Sequence, residues 1–361
     1  MVLNMRRYSG IVLAGLASLA IVSCQKPPVR SHTVTIGPSA SQKQLIASLF
    51  DKPRKPTGPI NIQIITNGIA PFWSVMVKGM DKARADLHCN ASWEGPEPAD
   101  PTIQKNMFES AVAKGVDGIA ISAIDAKALG PDINKAIAKG IPVITYDSDV
   151  VNCDRIAYIG TNNYVSGQTA GKLALKYFPK SKYPVANLIG FVGNLTADNA
   201  RLRVDGFKDA IKGSNVHLLE VLEDNKDKVV ATNNVTDAIN KYPHINGFVG
   251  FYSYNGPAIV NAVTSAGIRN KVKIICFDAE PGTITALRHG EIDATVVQKP
   301  YYFGYLVTKF LYLLNRKGLP AAEKALHMPA DNILDTGVQV VTPANVNEFY
   351  NGLRKIGVTS S

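Results

Sequence analysis

The sequence predicts an α/β protein made of two similar lobes, each a doubly wound parallel sheet, joined by a multi-strand hinge. Apolar runs of strand length alternate with longer helix-like segments from about residue 61, and this alternation favours parallel sheets with right-handed crossovers. The alternation restarts near residue 164, so the chain divides into two halves. Two apolar runs, 141–147 and 272–278, end on an aspartate at matching places of the two halves.

The N-terminus, residues 1–23, is predicted to be a signal peptide outside this fold. Arg6 and Arg7 precede an apolar stretch, 11–22, that is too short to span a bilayer. The stretch ends in Ile-Val-Ser-Cys, which resembles a bacterial lipobox and predicts that Cys24 becomes a lipid-modified N-terminal residue. The alternative is an ordinary signal peptide with an incidental cysteine.

Residues 24–58 are rich in Pro, Ser, Lys and Gln, a composition that predicts a tether with room for a short helix at 42–50. The formal charge of +10 is spread over helix-like segments without a basic run interleaved with aromatics, so we expect no nucleic-acid partner. We interpret this charge as a solvated surface that can also lie near anionic lipid headgroups.

In the first half the strands are predicted at 61–67, 91–93, 118–122, 142–147 and 157–161, with helices at 72–87, 102–113 and 131–139 between them. In the second half the helices are predicted at 164–177, 199–212, 228–240, 257–266 and 283–289, and the strands near 185–193, 216–222, 247–252, 272–278 and 293–298. A long helix (302–315), a strand (338–342) and a closing helix then complete both lobes. The lobes are predicted to comprise 59–161 plus 299–333 and 162–298 plus 334–361, with hinges near 161–162, 298–299 and 331–336.

Three cysteines, Cys89, Cys153 and Cys276, follow the lipobox, and this odd number does not indicate a disulfide framework. In the expected strand order 2-1-3-4-5, Cys89 and Cys153 precede strands on opposite edges of one sheet. Four steps of about 4.8 Å place them some 19 Å apart. Because a disulfide needs Cα atoms within about 7 Å, we predict that these two thiols are not bonded.

The two strand-end aspartates are Asp147 and Asp278. In open α/β sheets ligands bind outside the carboxyl ends of strands, so each half would supply one carboxylate to a shared crevice. A carboxylate accepts two hydrogen bonds in a fork, which suits vicinal hydroxyls. The alternative is that each aspartate only caps the next turn or helix.

Common catalytic motifs are absent from the sequence. No GxGxxG, Walker loop or GxSxG elbow is present, and no Cys/His or HExxH spacing indicates a metal. This absence argues against an enzyme, and we expect no cofactor and no metal.

Eight segments resemble, in order, the type I periplasmic solute-binding proteins of ABC importers, in the branch of ribose- and galactose-type sugar binders. The resemblance covers about residues 60 to 358. The segments are Ala70–Trp73, Gly115–Ser122, Gly140–Asp149, Ala157–Asn163, Ala200–Phe207, Tyr254–Ile259, Ile274–Ala279 and Ala294–Pro300.

The resemblance implies a ligand site made of Phe72, Trp73, Ser122, Asp147, Arg201, Tyr254, Asn255, Asp278 and Gln298. In such proteins the aromatics that open the first helix stack on the sugar ring, although Phe72 and Trp73 could instead be core anchors. Arg201 could likewise form only a surface salt bridge. The chain departs from the family pattern at Ala70, at Ser148 and at the Tyr254–Asn255 pair, which puts the identity of the ligand in doubt.

The resemblance therefore implies a membrane-tethered, extracytoplasmic receptor. It would be a monomer that captures a monosaccharide or polyol between its lobes and delivers it to an ABC transporter permease. One alternative is a periplasmic subunit that feeds a chemoreceptor or sensor kinase. A sugar-responsive repressor would instead carry an N-terminal helix-turn-helix where this chain has its signal and tether.

Overall fold

The computed structural model of the protein describes residues 39–55 and 57–358. The predicted signal peptide and the lipidation site Cys24 lie outside these described residues. Within the described part of the chain, no helix has the length and apolar character needed to cross a membrane.

The first lobe is built on a six-stranded sheet in which every pair of neighbours is parallel. Its strands are β1 (Asn61–Ile65), β2 (Asn90–Glu94), β3 (Gly118–Ile121), β4 (Val143–Thr145), β5 (Tyr158–Gly160) and β11 (Ile333–Asp335). Their order is β11-β5-β4-β3-β1-β2, which contains the predicted 2-1-3-4-5 arrangement. Strands covered by helices on both faces bury both sets of side chains, and β3 and β4 are accordingly buried at every position.

The second lobe repeats this arrangement. Its strands are β6 (Ala186–Val192), β7 (Val216–Glu223), β8 (Gly247–Gly250), β9 (Lys273–Phe277), β10 (Ala294–Val297) and β12 (Gln339–Val341). Their order is β12-β10-β9-β8-β6-β7, and β12 is antiparallel to β10. The five-strand order is therefore the same in both lobes, which confirms the predicted fold class of two similar doubly wound lobes.

The helices are α1 (Ala40–Phe50), α2 (Pro71–Leu87), α3 (Pro101–Ala113), α4 (Ala126–Ala138), α5 (Asn163–Tyr177), α6 (Asp198–Ile211), α7 (Lys228–Lys241), α8 (Asn255–Ser265), α9 (Pro281–Arg288), α10 (Pro300–Lys317), α11 (Leu319–Leu326) and α12 (Val346–Lys355). Helix α4 begins five residues before its predicted start at Pro131. The side chain of Asp125 accepts hydrogen bonds from the first-turn amides and fixes that earlier start, so Pro131 lies inside the helix. Proline is favoured at the first position of a helix, and for this reason the sequence predicts a start at Pro131.

Two helix pairs hold the cleft-facing elements in place, and each is packed through reciprocal glycines. A Cβ on Gly79 of α2 would lie 1.9 Å from a backbone oxygen of α10, and one on Gly304 of α10 would lie 2.0 Å from a backbone oxygen of α2. Gly167 of α5 and Gly206 of α6 show the same relation, at 2.1 and 2.0 Å. Only glycine permits backbones to approach this closely. The starts of α2 and α6 are therefore held in fixed positions.

The chain passes between the lobes three times. The first two crossings, at 161–162 and 298–299, lie at predicted hinges, after β5 and after β10. The third lies at 336–338, later than predicted. Strand β11 pairs with β5, with Ile333 opposite Tyr158, so residues 333–335 belong to the first sheet rather than to a hinge.

The predicted tether ends earlier than its composition indicates. Helix α1 was foreseen at 42–50, but its side chains Ile46 and Phe50 are buried in the core of the first lobe. Gln42 Nε2 donates to the carbonyl of Cys153 (3.1 Å), and Lys43 Nζ donates to that of Ala330 (2.8 Å). Residues 40–50 are therefore an integral part of the first lobe.

The described cysteines Cys89, Cys153 and Cys276 are buried free thiols. The strand order from which their separation was derived is also the observed one, with β2 and β5 four steps apart.

Candidate functional site

The two strand-end aspartates occupy equivalent places in the two lobes. Asp147 follows β4 and Asp278 follows β9, each the fourth strand of its lobe. Both have left-handed backbones, with φ of 57° and 63°, and both are 3% exposed. Aspartate adopts this conformation more readily than most residues, yet it still costs free energy, and such strain concentrates at functional sites. The duplication of the same strained turn indicates a shared role.

A cavity of about 650 Å³ lies between the lobes, within the size range of small-molecule sites. Asp147 and Asp278 both line it. Of the other predicted residues, Phe72, Trp73, Tyr254 and Gln298 also line it. The structure thus brings six of the nine predicted ligand residues to one cleft.

Asp147 is hydrogen-bonded from both lobes. In the first lobe, its Oδ2 accepts from Ser122 Oγ (2.7 Å) and from Asn67 Nδ2 (3.3 Å). From the second lobe, Asn199 Nδ2 donates to the same oxygen (3.3 Å) and Asn163 Nδ2 donates to the Asp147 carbonyl (2.9 Å). Burial raises the pKa of Asp147, while Arg203, Ser122, Lys226 and Asn199 act in the opposite direction.

Asp278 is held entirely by neighbours on its own lobe. The backbone N–H of Gln298 donates to Asp278 Oδ1 (3.0 Å), and Gln298 Nε2 lies 3.3 and 3.0 Å from the two carboxylate oxygens. Burial raises the pKa of Asp278 to about 6, partly offset by Arg203 and by Gln298. Among the described residues, Gln298 Oε1 has no hydrogen-bond partner although it is buried. A buried acceptor of this kind can receive a ligand hydroxyl.

The arginine of the site is Arg203, which corrects the prediction of Arg201. Arg201 is 51% exposed at its side chain and forms ion pairs within α6, with the buried Asp198 and with Asp205, so it is a salt-bridge residue as in the alternative interpretation and does not line the cavity. Arg203 lies on the opposite, buried face. Arg203 lies three residues after Ala200 and four before Phe207, so it shares the buried face of α6 with them. This helical periodicity is the sequence signal that could have identified Arg203.

Arg203 is 2% exposed, and two of its three guanidinium nitrogens donate hydrogen bonds to described residues. Its Nε donates to Asn163 Oδ1 (2.9 Å) and its Nη1 to the carbonyl of Phe251 (2.8 Å). Its Nη2 lies 3.8 Å from Asp147 Oδ1 and makes no hydrogen bond to any described residue. The guanidinium carbon lies 4.9 Å from the ring centre of Phe277. One donor edge of a rigidly held arginine therefore remains available in the cleft.

Two aromatic residues at the start of α2 are both packed in the core and exposed to the cavity. Trp73 is 3% exposed and meets the rings of Phe72 and Tyr146 edge-on, at centroid distances of 4.8 and 5.8 Å. Phe72 is half-buried and packs against Phe303. Both rings nevertheless line the cavity. They are core anchors that also present a ring surface to the cleft.

Ser122 and Asn255 lie behind the cavity wall rather than on it. Ser122 is fully buried and donates to Asp147. Asn255 receives the backbone N–H of Tyr252 (2.9 Å) and donates to Asp224 Oδ2 (2.9 Å). Both residues support the groups that line the cleft, and neither lines it.

Polar residues that were not predicted also line the cavity, among them Asn67, Asn199, Lys226 and Tyr252. Asn67 follows β1 at the carboxyl edge of the sheet, the same signal that identified the aspartates. It supplies an amide three residues before Ala70, where the family pattern has an asparagine. Asn199 lies in the first turn of α6, and its Oδ1 accepts from Tyr252 Oη (3.1 Å).

A sequence profile described as a periplasmic binding protein domain matches residues 63–318. The chain belongs to the periplasmic binding protein family. The xylose/arabinose-binding protein XylF of Sulfolobus acidocaldarius is 26% identical to it over 306 residues, which cover 81% of this chain and 73% of XylF. This membership confirms the prediction of a binding protein rather than an enzyme.

Two solved structures show the same fold in this family. An ABC transporter solute-binding protein from Burkholderia graminis, in complex with D-arabinose, has a TM-score of 0.73 and 27% identity, with 81% of this chain and 98% of that one covered. A chain of the XylFII–LytSN complex has a TM-score of 0.70 and 27% identity, with 80% and 99% covered. Both solved chains therefore match this periplasmic binding protein over almost their whole length.

Proposed function

We propose that this protein is an extracytoplasmic receptor that captures a monosaccharide or polyol in the cleft and delivers it to an ABC transporter permease. The observation that carries the proposal is the pair of unpaired polar groups in the cleft, Arg203 Nη2 as a donor and Gln298 Oε1 as an acceptor. They lie beside two buried carboxylates and two aromatic rings. A hydroxyl both donates and accepts, so a sugar can satisfy both kinds of group while its C–H face lies on a ring.

The charge of the cleft favours an uncharged ligand. The cavity is lined by four carboxylates (Glu97, Asp147, Asp227 and Asp278) and by three cations (Arg203, Lys226 and Lys228). A buried charge is tolerated only when it is paired or hydrogen-bonded, and this set is close to balanced without a charged ligand. The relatives named above for xylose, arabinose and D-arabinose support a sugar.

Closure of the lobes supplies the capture mechanism. Asn199 and Asn163 of the second lobe contact Asp147 of the first, so the cleft is lined from both sides at once. A ligand that contacts both lobes stabilises the closed state, because only there does it make all its contacts. The crossings at 161–162, 298–299 and 336–338 are the segments that would flex.

Membrane attachment through a lipid on Cys24 is part of the proposal. Because α1 is packed into the first lobe, a lipid anchor would hold the protein by that lobe. Replacing Cys24 by Ala should release the protein from membranes or leave the precursor unprocessed. An unchanged membrane fraction together with an unchanged mature mass would contradict the lipid anchor.

Sensing is the second candidate function, and one observation favours it: a similar chain occurs in a complex with a second protein in the XylFII–LytSN structure. The two functions differ in the partner of the closed form. Co-purification of the ligand-loaded protein with a permease supports delivery, and co-purification with a chemoreceptor or sensor kinase supports sensing.

The binding function is tested by a thermal-shift screen of monosaccharides, polyols, nucleosides and sugar phosphates. A ligand that binds the folded state alone raises the melting temperature, by an amount that grows with ligand concentration. We expect one or a few monosaccharides or polyols to raise it, and the variant Asp278→Ala to lose that response. A response confined to nucleosides or sugar phosphates would overturn the proposed ligand class.

A further inference from the structure

Lys226 lies in a rigid loop at the edge of the cleft, between β7 and α7. Asn225 and Lys226 both have left-handed backbones, with φ of 51° and 65°. The loop is anchored by Asp224, which is 1% exposed and accepts hydrogen bonds from Tyr254 Oη, from Asn255 Nδ2 (2.9 Å) and from the backbone N–H of Lys226 (2.8 Å). The position of the lysine is therefore set by the core of the second lobe.

The side chain of Lys226 crosses the cleft. Its Nζ donates to the carbonyl oxygen of Asn67, which belongs to the first lobe. Asn67 in turn donates its side-chain amide to Asp147. Lys226 thus touches the backbone of a residue that holds the first strand-end aspartate, and it can do so only when the lobes are together.

An ammonium group has three N–H donors, and one of them is used in this contact. Within residues 39–55 and 57–358, the Asn67 carbonyl is the one hydrogen-bond acceptor that Lys226 Nζ reaches. The side chain lines the cavity, so the remaining donors face the space that a ligand would fill. Burial lowers the pKa of Lys226 to about 8, against the opposing influence of Asp147 and Asp224. The closed cleft therefore holds an incompletely satisfied ammonium.

We infer that Lys226 is a specificity-determining residue that donates to an oxygen of the bound ligand and couples that contact to closure of the lobes. This inference rests on the proposed function, since it needs a ligand in the cleft. In the open state water would solvate the ammonium. Closing removes that water, and a ligand oxygen at the right place replaces it, whereas a ligand that lacks the oxygen leaves a buried charge unpaired.

The first test measures affinity by calorimetry on the full chain. The probes are D-ribose, D-xylose, L-arabinose and D-galactose, followed by the monodeoxy analogues of the tightest binder. Lys226→Met keeps the length of the side chain and removes its charge and donors. Lys212→Met, at the exposed end of α6 on the same lobe, is the matched control.

We expect Lys226→Met to weaken binding about ten- to a hundredfold and Lys212→Met to leave it unchanged. One deoxy analogue should bind the wild type weakly by a similar factor, with no further loss in Lys226→Met, because both changes remove the same hydrogen bond. Wild-type affinity in Lys226→Met would overturn the inference. The inference would also be overturned if Lys226→Met weakened the binding of every deoxy analogue by the same factor, since that result indicates a purely structural role.

The second test needs no ligand and therefore separates this inference from the proposed function. Spin labels at Ser110→Cys and Asn233→Cys, one exposed site on each lobe, report the distance between the lobes, with Cys24→Ser in every sample. Closing lowers the pKa of Lys226 from its ordinary value of 10.5 to about 8, so closing releases a proton in that pH interval. The closed population should therefore rise between pH 7 and pH 10.

In Lys226→Met the closed population should not rise between pH 7 and pH 10. The other charged groups around the lysine are Asp224 on its own loop and those that line the same cavity: Glu97, Asp147, Arg203, Asp227, Lys228 and Asp278. If no sugar binds the wild type, the proposed function fails, and the pH response still decides whether Lys226 is coupled to closure. A wild-type distance that does not change with pH would contradict that coupling.

Discussion

The two strand-end aspartates have the same backbone conformation but different neighbours. Asp278 receives its hydrogen bonds from Gln298 at the end of its own lobe, so its half of the site is complete within the second lobe. Asp147 receives donors from both lobes, including Asn199 and Asn163 across the cleft. The comparison shows that the second lobe carries a preformed half-site, and that the half-site of the first lobe is completed when the lobes meet.

The largest effect should come from the buried arginine that connects the two half-sites. Arg203→Met removes the cation beside Asp147 and leaves that carboxylate buried without its counter-charge. Breaking a buried pair from one side costs about 3–5 kcal/mol of unfolding free energy. Denaturant unfolding measures this cost.

Lys208→Met is the matched control for this measurement, because Lys208 is an exposed cation on the same helix, α6. Its unfolding free energy should change by less than about 1 kcal/mol. Equal costs for Arg203→Met and Lys208→Met would contradict the assignment of Arg203 to the site.

A pH experiment tests how deeply the preformed half-site is buried. Burial raises the pKa of Asp278 to about 6, from an ordinary value of 3.8. Between these values the folded state binds more protons than the unfolded state, so this group's contribution to stability is present at low pH and is lost as pH rises through about 6. Asp278→Asn should remove an effect of the order of 2–3 kcal/mol.

The expected signature is a stability difference, Asp278→Asn minus wild type, that increases from pH 4 to pH 7. Denaturant unfolding at several pH values measures it. Asp237→Asn, an exposed aspartate on α7 of the same lobe, should show a difference that stays flat over this range. The buried carboxyls Asp198 and Asp224, whose pKa values burial also raises to about 6, remain in both proteins and cancel in the difference.

Replacing either strand-end aspartate by alanine should weaken ligand binding, but only the replacement of Asp147 should change the closure of the lobes. Removing either carboxylate leaves donors of the bound ligand unpaired, at a cost of about 1–3 kcal/mol of binding free energy. Asp147→Ala should also change the interlobe distance without ligand, because it removes the acceptor of Asn199. Asp278→Ala should leave that distance unchanged. Calorimetry measures the affinities, and spin-label distances measure closure. Native affinity in both variants would contradict the hypothesis that both aspartates contact one ligand in the cleft.

Local signals in the sequence were sufficient for most of the fold. The predicted strand at 118–122 is β3, and the predicted helix at 164–177 is α5 within one residue, because apolar periodicity and capping residues are properties of short segments. Strand β11 was missed for a different reason. Its three residues are a strand only because β5 offers an unpaired edge, and no local pattern records that edge.

The site was predictable where a residue follows a strand and less so where it lies on a helix or a loop. Asp147 and Asp278 come directly after apolar runs, so the sheet edge places them. Arg201 was chosen for its position near the start of α6, while the buried periodicity of that helix selects Arg203. Lys226 carries no such signal, because its direction depends on the turn that Asp224 anchors and on the approach of the other lobe.

The smallest expected effects come from a pair of variants that each remove one polar side chain beside a strand-end aspartate. Asn199→Ala removes the donor that reaches Asp147 across the cleft, and Thr295→Val removes the hydroxyl that donates to the Asp278 carbonyl (2.7 Å) within the second lobe. Each hydrogen bond is worth about 1 kcal/mol, and Asn199→Ala also removes the acceptor of Tyr252 Oη within the second lobe. Asn199→Ala should lower the closed population and ligand affinity. Thr295→Val should destabilise the fold without moving the spin-label distance. If Thr295→Val changed the spin-label distance and Asn199→Ala did not, the Asp278 side of the site, rather than the Asp147 side, would depend on closure.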